Sequence, residues 1–149
     1  RTNPNAFLKN IVSPYIKEKK LSRNRYAKSL VRELQRLEPL DSLKFEKSLQ
    51  KMSEDFASVA GKKGWIKHVR VNQRFEKHAD HVDITAENLQ FGFDKPLDIV
   101  MDLLIDTDIP SLGHRKNILD ANFSIIGIAT NQHKNYDYIT VMSFGGFEE

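Results

Sequence analysis

Glu87, within Ala86-Glu87-Asn88-Leu89, and His114, within Ser111-Leu112-Gly113-His114-Arg115-Lys116-Asn117-Ile118-Leu119, are the residues whose types and settings best suit chemistry. Gly113 lets backbone approach closely and leaves the imidazole room to face a cavity. Ala86 is small enough to leave the Glu87 carboxylate accessible, just ahead of a strand-like run. A positioned carboxylate and imidazole can activate water, and imidazoles can ligate a divalent ion such as zinc. Either residue alone reads as an ordinary hydrogen-bonding side chain. Ser111 beside His114 invites a serine-hydrolase reading, but no Gly-x-Ser-x-Gly elbow accompanies it.

The other polar candidates read as structural or solvated. Arg74 is placed to pin a loop through a carboxylate or carbonyl, His78 and His81 fall in a solvated loop, and His133 falls in an exposed hairpin turn. Arg25, Lys28, Arg32 and Arg36 fall near one helical face, opposite a row of leucines, a footprint that suits an anionic surface and also any solvated helix. With few interleaved aromatics and no nucleic-acid motif, nucleic acid is the lesser partner.

The elements that must position these side chains fit in one domain over residues 1–149, with 40% hydrophobic and 29% charged residues, a globular composition. The net charge of +3 conceals an asymmetry. Residues 1–81 hold 19 Lys and Arg against 9 Asp and Glu, whereas residues 82–149 hold 4 against 11. The basic half can face phospholipid, or the two halves can pack against each other with solvated rims. The absence of cysteine excludes disulfides, thiol chemistry and thiolate metal sites. No apolar run is long enough to span a bilayer.

Asn3-Pro4 starts a helix that runs to about Lys19, with Pro14 expected to kink it or end it early. A second helix carries Tyr26, Ala27, Leu30, Leu34 and Leu37 and stops at Pro39. Asp41 or Ser42 caps a third, with Phe45, Leu49, Met52, Phe56 and Val59 on one face and Gly61 to Gly64 closing it. A short helix is expected over 73–77, a strand over 89–93, and a fourth helix from Pro96 that ends before Pro110. Residues 123–129 and 136–144 form a hairpin around a turn at 131–135. Helices segregated from a small antiparallel sheet give an α+β fold, most simply a three-layer α/β/α sandwich.

The paired motifs in this order resemble the CAP superfamily, which includes cysteine-rich secretory proteins, venom antigens, plant pathogenesis-related proteins and bacterial extracellular SCP-like domains. Its bacterial motif Gly-His-Arg-x-Asn-Ile-Leu is matched at every fixed position by Gly113 to Leu119. The resemblance implies an α/β/α sandwich with a polar cleft of His68, Glu87, Asp106 and His114, in which Asp106 stands where animal members carry Glu. It makes His68 and His114 the metal ligands, with zinc as the divalent cation, and leaves Glu87 and His114 as catalytic candidates. The opening Arg1-Thr2-Asn3-Pro4 resembles the end of the family's first helix, so the natural protein is expected to extend upstream through a secretion signal. A secreted or cell-envelope bacterial domain follows, acting as a binding module for lipid, a divalent cation or an extracellular partner. A metal-dependent hydrolase or protease and a scaffold for protein interaction stand as the alternatives.

Overall fold

A four-stranded sheet in the order β1-β3-β4-β2 forms the middle layer of the computed structural model, which describes residues 1–148. Its strands are β1 (Lys44–Phe45), β2 (Ile84–Phe91), β3 (Ile125–His133) and β4 (Asp137–Gly146). From Ile139 to Gly146 every residue of β4 is buried, as expected of a strand covered on both faces. Ile139 and Val141 pack beneath Phe56, Ala57 and Ala60 of helix α4 (Lys47–Lys63). Met142 and Phe144 alternate to the opposite face, under Ile99 and Leu103 of helix α6 (Pro96–Ile105). Helix α5 (Val71–His78) joins the α4 layer through Phe75, which packs with Leu49 and Met52. Tyr26, Ala27, Leu30 and Leu34 of α3 (Arg25–Leu34) pack on Met101, Leu104 and Ile105 of α6, with Val12, Tyr15 and Ile16 of the N-terminal helices. The layering is that of an α/β/α sandwich.

Local chemistry accounts for several element boundaries and for the departures from expectation. Asn3 caps α1 (Pro4–Phe7) by accepting from the Ala6 amide, and Asn24 caps α3 by accepting from Tyr26 and Ala27. Pro14 does not stop the first helix. A π-helical turn (Leu8–Val12) precedes α2 (Ser13–Glu18), and the Ser13 amide bonds back to the Leu8 carbonyl, so the wider turn accommodates the missing proline donor. α3 ends at Leu34, ahead of Leu37 and Pro39. Phe45 is not on a helix: it lies in β1, 70% exposed, and Glu46 rather than Asp41 or Ser42 caps α4. Because β1 pairs parallel with β3 while the other pairs are antiparallel, the sheet is mixed. β2 begins at Ile84, so Glu87 lies within the strand, and α5 is longer than the expected 73–77. The hairpin is also tighter than expected, with β3 continuing to His133 and β4 starting at Asp137.

α4 sits directly on β3, and a glycine permits that approach. A Cβ added to Gly127 would overlap the backbone of Leu49 and Gln50. Nearby, the buried Ser53 hydroxyl bonds the Gly127 carbonyl at 3.2 Å and the Ser143 hydroxyl at 2.8 Å. Gly127→Ala is expected to cost about 1–3 kcal/mol by forcing this helix off the sheet. A urea titration checks it: a lower midpoint at unchanged slope is the expected result, and an unchanged midpoint would show that α4 is free to shift.

Candidate functional site

β2 is the outer strand on its side of the sheet, and two of its consecutive residues serve opposite faces. Glu87, level with Ser143, faces the α4 and α5 layer, and its side chain is 1% exposed. Arg74 of α5 grips it with both nitrogens, Nη1 to Oε2 at 2.5 Å and Nη2 to Oε1 at 2.8 Å. The Arg74 Nε donates to the Val69 carbonyl, and the guanidinium lies 3.6 Å from the centre of the Phe56 ring. Arg74 thus pins the 68–74 segment as its sequence setting suggested. His68 completes this side by placing Nδ1 2.9 Å from Glu87 Oε1. An ionised carboxylate only accepts hydrogen bonds, so Nδ1 carries the proton and a neutral His68 has its lone pair on Nε2. Burial pushes the Glu87 carboxyl upward, but hydrogen bonds and charge from Arg74 and His68 outweigh it and leave the group below its usual range.

Asn88 points the other way, donating from Nδ2 to the His114 carbonyl at 3.0 Å and accepting from Asn117 at 2.7 Å. It thereby ties α7 (Gly113–Leu119) to the sheet. Asp106 ends α6 in the left-handed conformation, with φ 58°. A carboxylate opposes the dipole at a helix C-terminus, yet this one is supplied with donors from α7. His114 donates from its backbone amide at 3.1 Å and from Nδ1 at 2.8 Å, and the Arg115 amide approaches at 3.4 Å. From outside the helix, Asp106 therefore accepts from first-turn amides of α7, whose N-cap residue is Leu112, and supports the His114 ring as well.

The structure brings the four expected residues together as two pairs, His68 with Glu87 and His114 with Asp106. Among the described residues no hydrogen bond or ion pair joins one pair to the other, and no three His, Cys, Asp or Glu side chains gather as a metal cage. Glu87 is not the accessible carboxylate expected beside Ala86, because its strand neighbours and Arg74 enclose it. The imidazoles are the open groups, with side-chain exposures of 46% for His68 and 27% for His114. His81 is half exposed, 4.0 Å from Glu46, while His133 is buried with Nε2 on the Trp65 carbonyl, contrary to the exposed turn expected. Ser111 makes no hydrogen bond to His114 among the described residues, and the exposed basic side chains of α3 stay at the surface.

Arg115 carries a role its motif position did not disclose. It is fully buried and donates to the carbonyls of Leu104, Ile105 and Tyr26, to Ser29 and to Glu33. The one available signal was its fixed place directly after His114 in the Gly-His-Arg-x-Asn-Ile-Leu motif.

A profile of the family described as CAP, the cysteine-rich secretory protein family, matches residues 25–144. The chain belongs to this CAP family. Solved structures agree in fold. An outer surface protein of Borrelia burgdorferi superposes with a TM-score of 0.61 at 21% identity, over 89% of this chain and 94% of that one. An extracellular SCP-domain protein of Bacillus anthracis gives 0.56 at 13% identity, over 81% of this chain and 38% of that one. A cysteine-rich secretory protein of Staphylococcus aureus gives 0.53 at 19% identity, over 80% and 36%. This CAP chain thus spans little more than a third of the latter two. None of the curated proteins compared with it matches. Among the described residues no helix is long and apolar enough to cross a membrane.

Proposed function

We propose that this CAP domain is a ligand-binding module of a secreted or cell-envelope protein, with the imidazoles of His68 and His114 as its recognition groups. The observation that carries the reading is the state of Glu87, whose two oxygens are both engaged by Arg74 and His68. A general base needs a free lone pair aimed at the proton it takes. Glu87 spends three of its four acceptor positions on Arg74 and His68 and is 1% exposed, and His114 is held by a different carboxylate, which disfavours the two as a water-activating couple.

Each ring rests its Nδ1 on a carboxylate and leaves Nε2 for a ligand, the support found behind metal-binding histidines. Two imidazoles supply only part of a zinc coordination sphere; were the ion bound, His68 and His114 would hold it, with water in the remaining positions. Bound there, the ion supplies a Lewis-acidic contact for an anionic ligand group. The extracellular and outer-surface settings named for the structural relatives support placement outside the cytoplasm.

Calorimetric titration of zinc into the metal-free protein tests the reading. Stoichiometric binding is expected, weakened at least about tenfold by His68→Ala or His114→Ala and about 10- to 100-fold by Asp106→Asn. Circular dichroism establishes that each variant is folded. No binding by the folded wild type, or binding as tight as the wild type's in both histidine variants, overturns the reading and favours a scaffold whose loops engage protein.

A further inference from the structure

The C-terminal end of α4 and the loop that leads from it to His68 form a second surface. Gly64, at φ 70°, closes the helix, and the Trp65 amide bonds back to the Ala60 carbonyl at 3.0 Å. The Trp65 carbonyl accepts from His133 Nε2 at 3.0 Å, and the Lys134 amide donates to the Gly61 carbonyl at 2.9 Å. Three hydrogen bonds thus fix how this loop is presented, so little ordering entropy is lost when something binds it.

The helix end and the loop carry exposed apolar and cationic side chains close together in sequence. Val59 is 42% and Ile66 51% exposed, and Trp65 with Phe56, Met52 and Val69 lines an open groove of about 220 Å³. Arg70 also lines it, and Lys62, Lys63 and Lys67 are exposed on the same stretch of chain. Among the described residues none of the four pairs with a carboxylate; Lys63 instead lies over the Trp65 ring at 4.7 Å. The acid on the groove wall, Asp55, is already paired with Lys51.

We propose that this surface seats the domain on an anionic phospholipid bilayer, with Ile66 and Val59 entering the headgroup region and the four cations meeting lipid phosphates. Trp at the water–lipid boundary, flanked by apolar and basic side chains, is the composition that interface favours. Two exposed aliphatic side chains are too few for a protein interface, which buries roughly 800 Å² per partner. They suffice at a bilayer, where each cation adds about fivefold in partitioning. The groove shares Val69 and Arg74 with the support of His68, so a metal chelator is kept in the assay to separate bilayer binding from any metal bound by the imidazoles.

Co-sedimentation with vesicles of phosphatidylcholine alone, or mixed with phosphatidylglycerol, tests the proposal on the full chain. Binding is expected only to the mixed vesicles and is expected to weaken as salt rises from ~0.1 to ~0.5 M. Lys62→Glu with Lys63→Glu and Lys67→Glu should lower partitioning on the order of 100-fold or more. Ile66→Ser should lower it roughly fivefold at unchanged charge. Lys28→Glu with Arg32→Glu and Arg36→Glu changes the net charge equally on the α3 face and is expected to retain most of the binding. Equal loss in both triple variants, a silent Ile66→Ser or no preference for anionic vesicles overturns the proposal. So does a dimer in solution that Ile66→Ser dissolves, since that would give the face to a second copy of the chain.

Discussion

Replacing Arg115 with methionine is expected to lower stability by about 3–5 kcal/mol, the scale on which buried charge networks fail when one member is removed. A guanidinium has five N–H groups, and Arg115 makes five hydrogen bonds from a fully buried position. Two acceptors, the carbonyls of Leu104 and Ile105, belong to the last turn of α6, whose final carbonyls have no partner within the helix. The cation therefore caps α6 where the helix dipole favours positive charge, and it reaches α3 through Tyr26, Ser29 and Glu33. Methionine fills similar space but leaves the buried Leu104 and Ile105 carbonyls unpaired, each worth about 1–3 kcal/mol, and removes the second bond of the Tyr26 carbonyl. Glu33, with its side chain 40% exposed, regains water and adds little. Arg115→Lys should fall between the two, because one ammonium cannot span acceptors on two helices. Urea denaturation decides: a deficit below about 1 kcal/mol for Arg115→Met would show that water replaces the network.

The segments whose boundaries were legible in the sequence are those governed by local chemistry. The Asn3 cap, the glycine stop after α4 and the proline start of α6 each act within a few residues of themselves, so their types disclose the structure. Phe45 was misplaced because its spacing suits the α4 face, whereas its position is set by pairing with Ile126, far along the chain. The same limit applies to His133, whose turn-like neighbours gave no hint that the Trp65 carbonyl would receive its ring proton.

The site divides along the same line. The family motifs named His68, Glu87, Asp106 and His114, but which acid serves which ring depends on tertiary placement. Asp106 joins His114 because a left-handed residue turns the chain back from α6 into the start of α7. Glu87 and Asn88 diverge because consecutive strand residues face opposite layers, so one short motif supports both halves of the site. Left-handed Arg70 and Leu112 lead into α5 and α7, a shared backbone cost at the entrance to both site helices. Single-residue patterns show neither feature.

Arg74→Met is expected to destabilise the domain by about 3–5 kcal/mol near ~pH 7, and its deficit should shrink in acid. In the wild type Glu87 titrates below its usual range, so its stabilisation is present above the unfolded carboxyl value of about 4.3 and is lost as pH falls through the lower folded value. Without Arg74 the balance reverses. The carboxylate stays buried with only the half-exposed His68 as partner, burial raises its pKa, and the folded state holds its proton longer than the unfolded chain does. The variant then loses stability as pH rises through the carboxylate range, the opposite sign to the wild type. The stacking of Arg74 on Phe56 is lost at every pH, so part of the deficit remains in acid. Arg74→Met combined with Glu87→Gln removes the charge as well as its partner and should recover much of the loss at neutral pH. Urea titrations with a chelator present, at ~pH 7 and ~pH 3, separate these contributions. A deficit equal at both values, or a double variant as unstable as Arg74→Met alone, would show that Arg74 acts through packing rather than by holding Glu87 ionised. In that event the carboxylate behind His68 would be free to take a proton, and the argument against Glu87 as a base would fall with it.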